Sequence, residues 1–236
     1  MTSQRTRIKI CGLTREGDVD AAVCAGTDAI GFVLYPPSPR YIDIGHAAQL
    51  ARRLPAFVTP VLLFVNAPAR DIGLACAQIP GATVQFHGDE TPQQCHDASG
   101  ARPYLRAARI PLDGSTPFDL LEFASQYEKA QAILLDAHVE GFGGGGKTFN
   151  WSLLPASVNS HLVLSGGLTP ANVTDGIVQV RPRCKTLAVD VSSGVELDGP
   201  GNKGLKDPEK IYQFVAAVRA ADKLFAESNH VRVPPT

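Results

Sequence analysis

The sequence predicts an α/β protein that forms a single (β/α)8 barrel, the TIM-barrel fold. Its length of 236 residues suits one large domain of this kind. Short apolar runs alternate with longer segments of helical spacing, which favours a parallel sheet. Eight strand–helix units of about thirty residues each favour closure of that sheet into a barrel. A doubly wound open sheet is the alternative.

Eight apolar runs are predicted as strands, and each is followed by a segment with helical spacing. The sixth helix is the weakest, because Pro155 ends it within a turn or two. The barrel is expected to span residues 1–227 and to be followed by a flexible tail, 228–236. The predicted strands are 7–10, 29–34, 58–65, 83–86, 103–107, 132–135, 161–164 and 186–191. The predicted helices are 18–25, 45–54, 68–78, 92–98, 119–127, 151–154, 170–180 and 208–226.

Composition and charge exclude several classes of protein. Hydrophobic residues make up 44% of the chain and charged residues 19%, which is typical of a globular protein. Lys plus Arg number 22 against 23 for Asp plus Glu, so no basic field attracts nucleic acid or an anionic membrane. Five widely spaced cysteines without a C-x-x-C motif predict neither a disulfide framework nor a metal site. Without a signal peptide or a long apolar stretch, we expect a cytoplasmic protein with reduced thiols.

Candidate site residues follow the predicted strands. In a (β/α)8 barrel the active site lies at the carboxyl ends of the strands. Cys11 follows the first predicted strand, His87 the fourth and Asp136 the sixth, while Asp190 lies at the end of the eighth. Arg40 lies in the proline-rich segment after the second strand. Closure of the barrel would bring these side chains to one rim.

Two segments on neighbouring strands are predicted to bind phosphate. Gly166 and Gly167 follow the seventh strand and precede a helix that starts with proline, while Ser192, Ser193 and Gly194 follow the eighth. Glycine lets backbone N–H groups approach an anion, and a helix N-terminus adds partial positive charge. For either segment alone a simple tight turn would be the favoured interpretation. Their occurrence on adjacent strands favours a phosphate site.

A third glycine-rich segment suggests a different function. Residues 141–148, Gly-Phe-Gly-Gly-Gly-Gly-Lys-Thr, match the P-loop pattern of nucleotide-binding proteins. A P-loop requires a substantial helix that begins at its Lys-Thr pair, whereas here Pro155 follows within about two turns. Four consecutive glycines suit a mobile lid better. Nucleotide binding is therefore the less favoured hypothesis.

Short motifs follow the predicted strands in order. They are Lys-Ile-Cys-Gly-Leu-Thr at 9–14, Ser-Pro-Arg at 38–40, Val-Gln-Phe-His-Gly at 84–88, Leu-Leu-Asp at 134–136, Leu-Ser-Gly-Gly-Leu at 164–168 and Val-Asp-Val-Ser-Ser-Gly-Val-Glu at 189–196. Their order resembles that of the phosphoribosylanthranilate isomerase family of tryptophan biosynthesis, over nearly the whole chain. Phe86 stands where the family usually has leucine, and Gly145 and Asn150 replace a threonine and an aspartate in its lid.

The resemblance implies an Amadori rearrangement of an aminoaldose, N-(5-phosphoribosyl)anthranilate, without a cofactor. It implies Asp136 as general acid and Cys11 as general base. Asp136 must be protonated when it acts, which partial burial favours, and Cys11 needs an electropositive environment to form a thiolate. Lys9 is expected on the opposite side of the first strand and so is not an obvious activator.

The remaining candidates are assigned to the substrate. Arg40 suits the anthranilate carboxylate, because a planar guanidinium matches a carboxylate in two hydrogen bonds. Asp190 either holds a sugar hydroxyl or organises the loop after the eighth strand, and His87 is expected to support the site rather than react. Another phosphate-binding isomerase barrel remains an alternative. A histidine-pathway aminoaldose isomerase of this fold would carry aspartate in place of Cys11.

Overall fold

Eight parallel strands close into a barrel in chain order, and the eighth pairs with the first. The computed structural model describes residues 5–112, 118–137 and 148–230, with the side chains of 228–230 left out. The closed sheet confirms the (β/α)8 prediction, and the open doubly wound alternative is wrong. The strands are β1 Arg7–Cys11, β2 Ala29–Val33, β3 Thr59–Phe64, β4 Thr83–Phe86, β5 Tyr104–Ile110, β6 Ala132–Ala137, β7 Val158–Leu164 and β8 Cys184–Val191.

Helices pack around the outside of this barrel. A proline or a capping side chain marks several of their starts; at α4, for example, Thr91 accepts a hydrogen bond from the Gln94 backbone while the Gln94 side chain accepts one from the Thr91 backbone. None of the helices in the described ranges is long and apolar enough to cross a membrane. The helices are α1 Glu16–Ala25, α2 Ile44–Ala51, α3 Ala69–Gln78, α4 Pro92–Ser99, α5 Leu120–Gln126, α6 Val173–Val180 and α7 Pro208–His230.

The interior of the barrel is filled by side chains that alternate along the strands. One buried apolar cluster inside the sheet comprises Val61, Leu105, Ala107, Ala132, Leu134 and Val163. The larger apolar core lies between the sheet and the helices and includes residues such as Ile10, Phe32 and Phe214. Since successive side chains of a strand point to opposite faces, residues two apart in a strand share the interior. This alternation decides which polar side chains reach the rim.

The segment after β6 and the end of the last helix differ most from the sequence prediction. In the described residues between β6 and β7, the predicted helix 151–154 is only a 3₁₀ turn, Trp151–Leu153, because Pro155 follows at once. The last helix continues through His230, which is three residues into the predicted tail at 228–236. Residues 231–236 lie outside the described ranges.

Candidate active site

The predicted site residues lie on one rim of the barrel, at the carboxyl ends of the strands. Cys11 is the last residue of β1, Asp136 is on β6 and Asp190 on β8, while His87 directly follows β4. All four are at least nine-tenths buried. Arg40, in the loop after β2, is also buried. The barrel therefore gathers residues that are far apart in the chain; Lys9 and Asp190, for example, are 181 positions apart and in contact.

Cys11 shares the barrel interior with a buried ion pair. The ammonium of Lys9 lies 2.9 Å from Oδ1 of Asp190, and both side chains are almost fully buried. Lys9 also interacts with Cys11 through its charge and a hydrogen bond. Burial raises the pKa of the Cys11 thiol, and the Lys9 charge opposes that rise without cancelling it. The thiol is thus held beside a cation in a site that water hardly reaches.

The expectation that Lys9 points away from Cys11 is wrong. The two residues are two apart on β1, so their side chains point to the same face of the sheet. Gly31 of β2 makes room for both: a Cβ added there would lie 2.6 Å from the Cys11 sulfur and 3.1 Å from Cε of Lys9. A side chain at position 31 would displace the thiol. The alternation along β1 was the signal that should have revealed Lys9.

Asp136 is held by His87 across the rim. Nε2 of His87 lies 2.9 Å from Oδ2 of Asp136, and both side chains are buried. On the other side of the imidazole, Nε2 of Gln85 lies 3.0 Å from Nδ1 of His87. Oδ1 of Asp136 accepts a hydrogen bond from the backbone N–H of Ala137. The carboxyl group is therefore oriented through both of its oxygens.

The segments after β7 and β8, both predicted to bind phosphate, contact each other directly. A Cβ added to Gly194 would lie 1.9 Å from the carbonyl oxygen of Leu168, so only glycine fits at that contact. Gly166 and Gly167 both have positive φ, at 76° and 63°. In the described part of the chain, no acceptor takes the backbone N–H of Gly166, Gly167 or Gly194. Unpaired N–H groups on two touching turns are the arrangement expected of an anion-binding surface.

Two serines tie these segments to the catalytic candidates. The Ser165 hydroxyl lies 3.4 Å from Oδ2 of Asp190. The Ser192 hydroxyl donates a hydrogen bond of 3.0 Å to the backbone carbonyl of Cys11. Ser193 begins a short 3₁₀ turn that includes Gly194. The predicted anion site and the Cys11 thiol are therefore linked through the backbone of β1.

Arg40 is engaged by a carboxylate of the protein itself. Its Nε and Nη2 donate to the two oxygens of Glu196 at 2.6 and 3.0 Å. Lys206, which is fully buried, donates to the same carboxylate at 3.0 Å and to the Ser192 carbonyl at 3.0 Å. A Cβ added to Gly12 would lie 2.6 Å from Cδ of Arg40, so the arginine stem packs beside the residue after Cys11. Sequence reasoning gave neither Glu196 nor Lys206 a role.

The Glu196 carboxylate stabilises two buried cations, so its removal is expected to be costly. Burial acts to raise the pKa of Glu196, but the Arg40 hydrogen bond and the Lys206 charge outweigh burial and hold that pKa below its usual value. We expect Glu196→Gln to lower the free energy of unfolding by about 3–5 kcal/mol, because both cations lose their buried partner. Urea denaturation of the variant and of the wild type measures this difference.

Because the pKa of Glu196 is lowered in the folded protein, the loss of stability in Glu196→Gln depends on pH. A carboxyl group with a depressed pKa stabilises the fold above its unfolded pKa of about 4.3, and this contribution disappears as pH falls through the folded value. The difference between the two proteins should therefore shrink in acid. Glu128→Gln, at an exposed position of the same charge, should change stability little. Equal losses in both variants would contradict the role of Glu196.

Two predicted features can be compared with the described residues only in part. In those residues, no group of three or more His, Cys, Asp or Glu side chains is arranged to hold a metal ion. Most of the glycine-rich motif at 141–148 lies outside the described ranges. The residues that follow it, 148–157, form only the 3₁₀ turn rather than the helix that a P-loop needs.

The rim combines ionisable side chains with open backbone amides at the ends of parallel strands. This is the architecture of a (β/α)8 barrel enzyme that handles a phosphorylated substrate. The family model of N-(5'phosphoribosyl)anthranilate (PRA) isomerase matches residues 8–217. The chain belongs to that family, whose members are isomerases of the intramolecular oxidoreductase class in tryptophan biosynthesis.

Individual relatives agree with the family model. The N-(5'-phosphoribosyl)anthranilate isomerase of Methylibium petroleiphilum is 63% identical over 95% of this chain and 99% of its own length. The same isomerase of Leptothrix cholodnii is 63% identical over 94% of each chain. The crystal structure of phosphoribosyl anthranilate isomerase from Thermotoga maritima is similar, with a TM-score of 0.78 and 38% identity over 91% of this chain and 99% of that one.

A solved structure of this kind contains a ligand. It is a phosphoribosyl anthranilate isomerase in complex with reduced 1-(o-carboxyphenylamino)-1-deoxyribulose 5-phosphate. It has a TM-score of 0.73 and 34% identity over 91% of this chain and 99% of that one. The ligand of that protein carries a carboxylate, an amine and a phosphate.

Proposed function

We propose that this chain converts N-(5'-phosphoribosyl)anthranilate into 1-(2-carboxyphenylamino)-1-deoxyribulose 5-phosphate, with Asp136 as the general acid and Cys11 as the general base. One observation carries the assignment: each proton-transfer group has a buried ionisable neighbour on the same rim, Lys9 for Cys11 and His87 for Asp136. We also place the enzyme in the cytoplasm, which the five free cysteines support.

Four proton transfers account for the reaction, and the first two are assigned to Asp136 and Cys11. Asp136 gives its proton to the ring oxygen of the sugar. The bond between that oxygen and C1 breaks with its electron pair on oxygen, while the nitrogen lone pair forms the C=N bond of an iminium ion. The Cys11 thiolate then takes the proton from C2, and the C–H electron pair neutralises the iminium to give an enolamine. Protonation at C1 and loss of the enol proton yield the ketone, so that the reaction has no net proton change.

The open amides on the turns after β7 and β8 are assigned to the substrate phosphate. Among the described residues the N–H groups of Gly166, Gly167 and Gly194 have no acceptor, which suits an anion, and the hydroxyl of Ser193 adds a further donor. The hydroxyl of Ser192 instead holds the Cys11 carbonyl and so orients this turn. Hydrogen bonds to an anion are about twice as strong as those between neutral groups. The phosphate would therefore anchor the sugar at the turns after β7 and β8, beside Asp136, since a Cβ on Gly166 would lie 3.0 Å from Oδ1 of that carboxyl group.

We propose that Arg40 binds the carboxylate of the substrate. Its Nε and Nη2 are committed to Glu196, which leaves Nη1 as the nitrogen for a ligand carboxylate. The fixed stem beside Gly12 holds this guanidinium near Cys11. In this scheme the main role of Asp190 is to hold Lys9. One of its carboxylate oxygens binds the Lys9 ammonium, and the other lies near the Ser165 hydroxyl. His87 orients the acid rather than reacting with the sugar.

The environment of Cys11 sets the pH dependence of its thiolate. Lys9→Met removes the cation that opposes burial, so the pKa of Cys11 should rise further. Asp190 acts in the opposite sense, because its charge raises the pKa of Cys11; Asp190→Asn should therefore lower that pKa. At fixed neutral pH the thiolate fraction falls in the first variant and rises in the second.

Ultraviolet titration of the unliganded protein measures both shifts. The Cys11 thiolate absorbance is obtained by subtracting the titration of the matching protein that also carries Cys11→Ser, which removes the contribution of the other thiols and of tyrosine. Shifts of the same sign in the two variants, or none in Lys9→Met, would contradict the assignment of Lys9 as the activating cation.

Turnover tests the proposed reaction. Purified protein should convert fluorescent N-(5'-phosphoribosyl)anthranilate to product with a kcat in the usual enzyme range of about 1–10³ s⁻¹. Calorimetry with ATP should detect no binding, because the described residues after the 141–148 motif do not form the helix that a P-loop needs. ATP binding without turnover would overturn the proposal in favour of the nucleotide-binding hypothesis.

A further inference from the structure

A buried polar side chain close to the proposed acid has no role in the mechanism. Gln85 lies on β4, two residues before His87, so both side chains point into the barrel. It is fully buried. Its Nε2 lies 3.0 Å from Nδ1 of His87, whose Nε2 lies 2.9 Å from Oδ2 of Asp136. An amide, an imidazole and a carboxyl group therefore form one hydrogen-bonded chain that ends at the proposed acid.

The other end of the Gln85 amide has no partner. Its Oε1 is buried, and among the described residues no group donates a hydrogen bond to it. A buried amide oxygen without a donor costs about 1–3 kcal/mol. A half-turn of the amide would place that oxygen against Nδ1 of His87 and the nitrogen where the oxygen was. The amide thus has two orientations that fit the same cavity.

Each orientation selects one proton arrangement. A neutral imidazole has one N–H donor and one acceptor nitrogen. When Nε2 of Gln85 donates to Nδ1, the histidine carries its proton on Nε2 and donates it to a carboxylate at Asp136. When Oε1 faces Nδ1, the histidine carries the proton there, and its bare Nε2 accepts a hydrogen bond from Asp136 in its carboxylic acid form. The second arrangement holds one more proton than the first.

We propose that Gln85 is a positioning residue that, through the His87 tautomer, selects whether Asp136 holds its acid proton. The inference rests on the proposed role of Asp136 as general acid. When Oε1 of Gln85 faces His87, Asp136 is protonated and can give that proton to the ring oxygen of the sugar. With Nε2 toward His87, the spent carboxylate is stabilised by the imidazole N–H. Solvent supplies the proton that reloads the acid.

The charged groups of the described residues around this chain are paired. On β5, Arg109 is the register partner of Asp136 and forms an ion pair with Asp89. On the outer side of β5, Arg106 pairs with Glu90 at 3.3 Å. On β1 and β8, Lys9 and Asp190 form the buried pair described above. Since each of these charges has a partner, the amide orientation is the element that the proposal takes to change.

Nitrogen-15 NMR of histidine-labelled, unliganded protein reads the tautomer directly, with the His87 signals assigned by their loss in His87→Gln. In the wild type at neutral pH we expect the Nε2-protonated form. Gln85→Glu presents an acceptor in place of the amide nitrogen, so His87 should become protonated at Nδ1. Gln85→Met removes the hydrogen bond with little change in shape, so the preference for Nε2 should weaken. Gln179→Met, an exposed matched change on α6, should leave the His87 signals unchanged.

Kinetics supply the second measurement. In Gln85→Glu the acid keeps its proton to higher pH, so the alkaline fall in kcat should move upward by about one pH unit. In Gln85→Met kcat should fall by about tenfold or more with KM little changed, because the tautomer is no longer fixed. A purely structural role would lower stability without moving the pH profile or the NMR signals.

The outcomes separate this inference from the proposed function. Turnover by the wild type with the same His87 tautomer in Gln85→Glu and Gln85→Met overturns the role of Gln85 and leaves the reaction standing. If the His87 tautomer changes in the variants but the wild type does not convert N-(5'-phosphoribosyl)anthranilate, the control of His87 by Gln85 is supported and the proposed function is overturned. If the His87 tautomer changes in Gln85→Glu but the pH profile of kcat does not shift, the proposed effect of Gln85 on the Asp136 proton is overturned.

Discussion

Replacing Cys11 by serine is expected to lower kcat by about 10²–10⁴-fold, the usual contribution of a proton-transfer group. Serine keeps the shape of the side chain, but its hydroxyl does not ionise near neutral pH and so cannot remove the C2 proton. The buried position against Gly31 and the neighbouring Lys9 remain available to the smaller oxygen. The loss should therefore appear in kcat, with KM and the thermal midpoint little changed. Steady-state turnover and circular dichroism measure these quantities.

An exposed cysteine provides the control for this substitution. Cys24 is free and lies on α1, on the solvent side of the barrel wall. Cys24→Ser should retain wild-type kcat and KM. Full activity in Cys11→Ser, or an equal loss in both variants, would remove the thiol of Cys11 from the mechanism.

Asp136→Asn is expected to lower kcat by a similar factor of about 10²–10⁴. The amide keeps the volume of the carboxyl group and can still accept a hydrogen bond from His87, but it has no acidic proton for the ring oxygen. Ring opening should therefore become rate-limiting, whereas in Cys11→Ser the later removal of the C2 proton is the slow step. Stopped-flow single turnovers distinguish the two, because only Cys11→Ser should accumulate the ring-opened iminium ion.

The matched control is Asp175→Asn, which removes a carboxylate from an exposed position in the first turn of α6. It should keep wild-type turnover and lose a few tenths of a kcal/mol of helix stability at most. An Asp136→Asn variant that turns over as fast as this control would show that another group protonates the sugar.

The barrel was predictable because its strands are short apolar runs of regular spacing. β4 was predicted at 83–86 and occurs as Thr83–Phe86. The start of β7 was predicted too late, at 161 rather than Val158, because its first residues include the polar Asn159 and Ser160. The pairing with β8 also shifts register between Val158 and His161. Apolar alternation cannot reveal a strand end whose side chains face solvent.

The candidate site was predictable in position but not in its pairings. The strand ends located Cys11 and Asp136, whereas the partner of Lys9 lies 181 positions away on β8. The planar fork of Arg40 suggested a carboxylate ligand, and the sequence could not tell a substrate carboxylate from that of Glu196, 156 positions away. Partners so distant in the chain are defined by closure of the sheet rather than by any local pattern.

The central claim is that Cys11 and Asp136 act as one acid–base pair on N-(5'-phosphoribosyl)anthranilate, and turnover by the double variant Cys11→Ser/Asp136→Asn tests it most directly. Groups that serve one reaction do not contribute additively, so the double variant should be about as inactive as the slower single variant. Its circular dichroism spectrum should match that of the wild type. Turnover by the folded double variant at a rate close to that of the wild type would contradict the account.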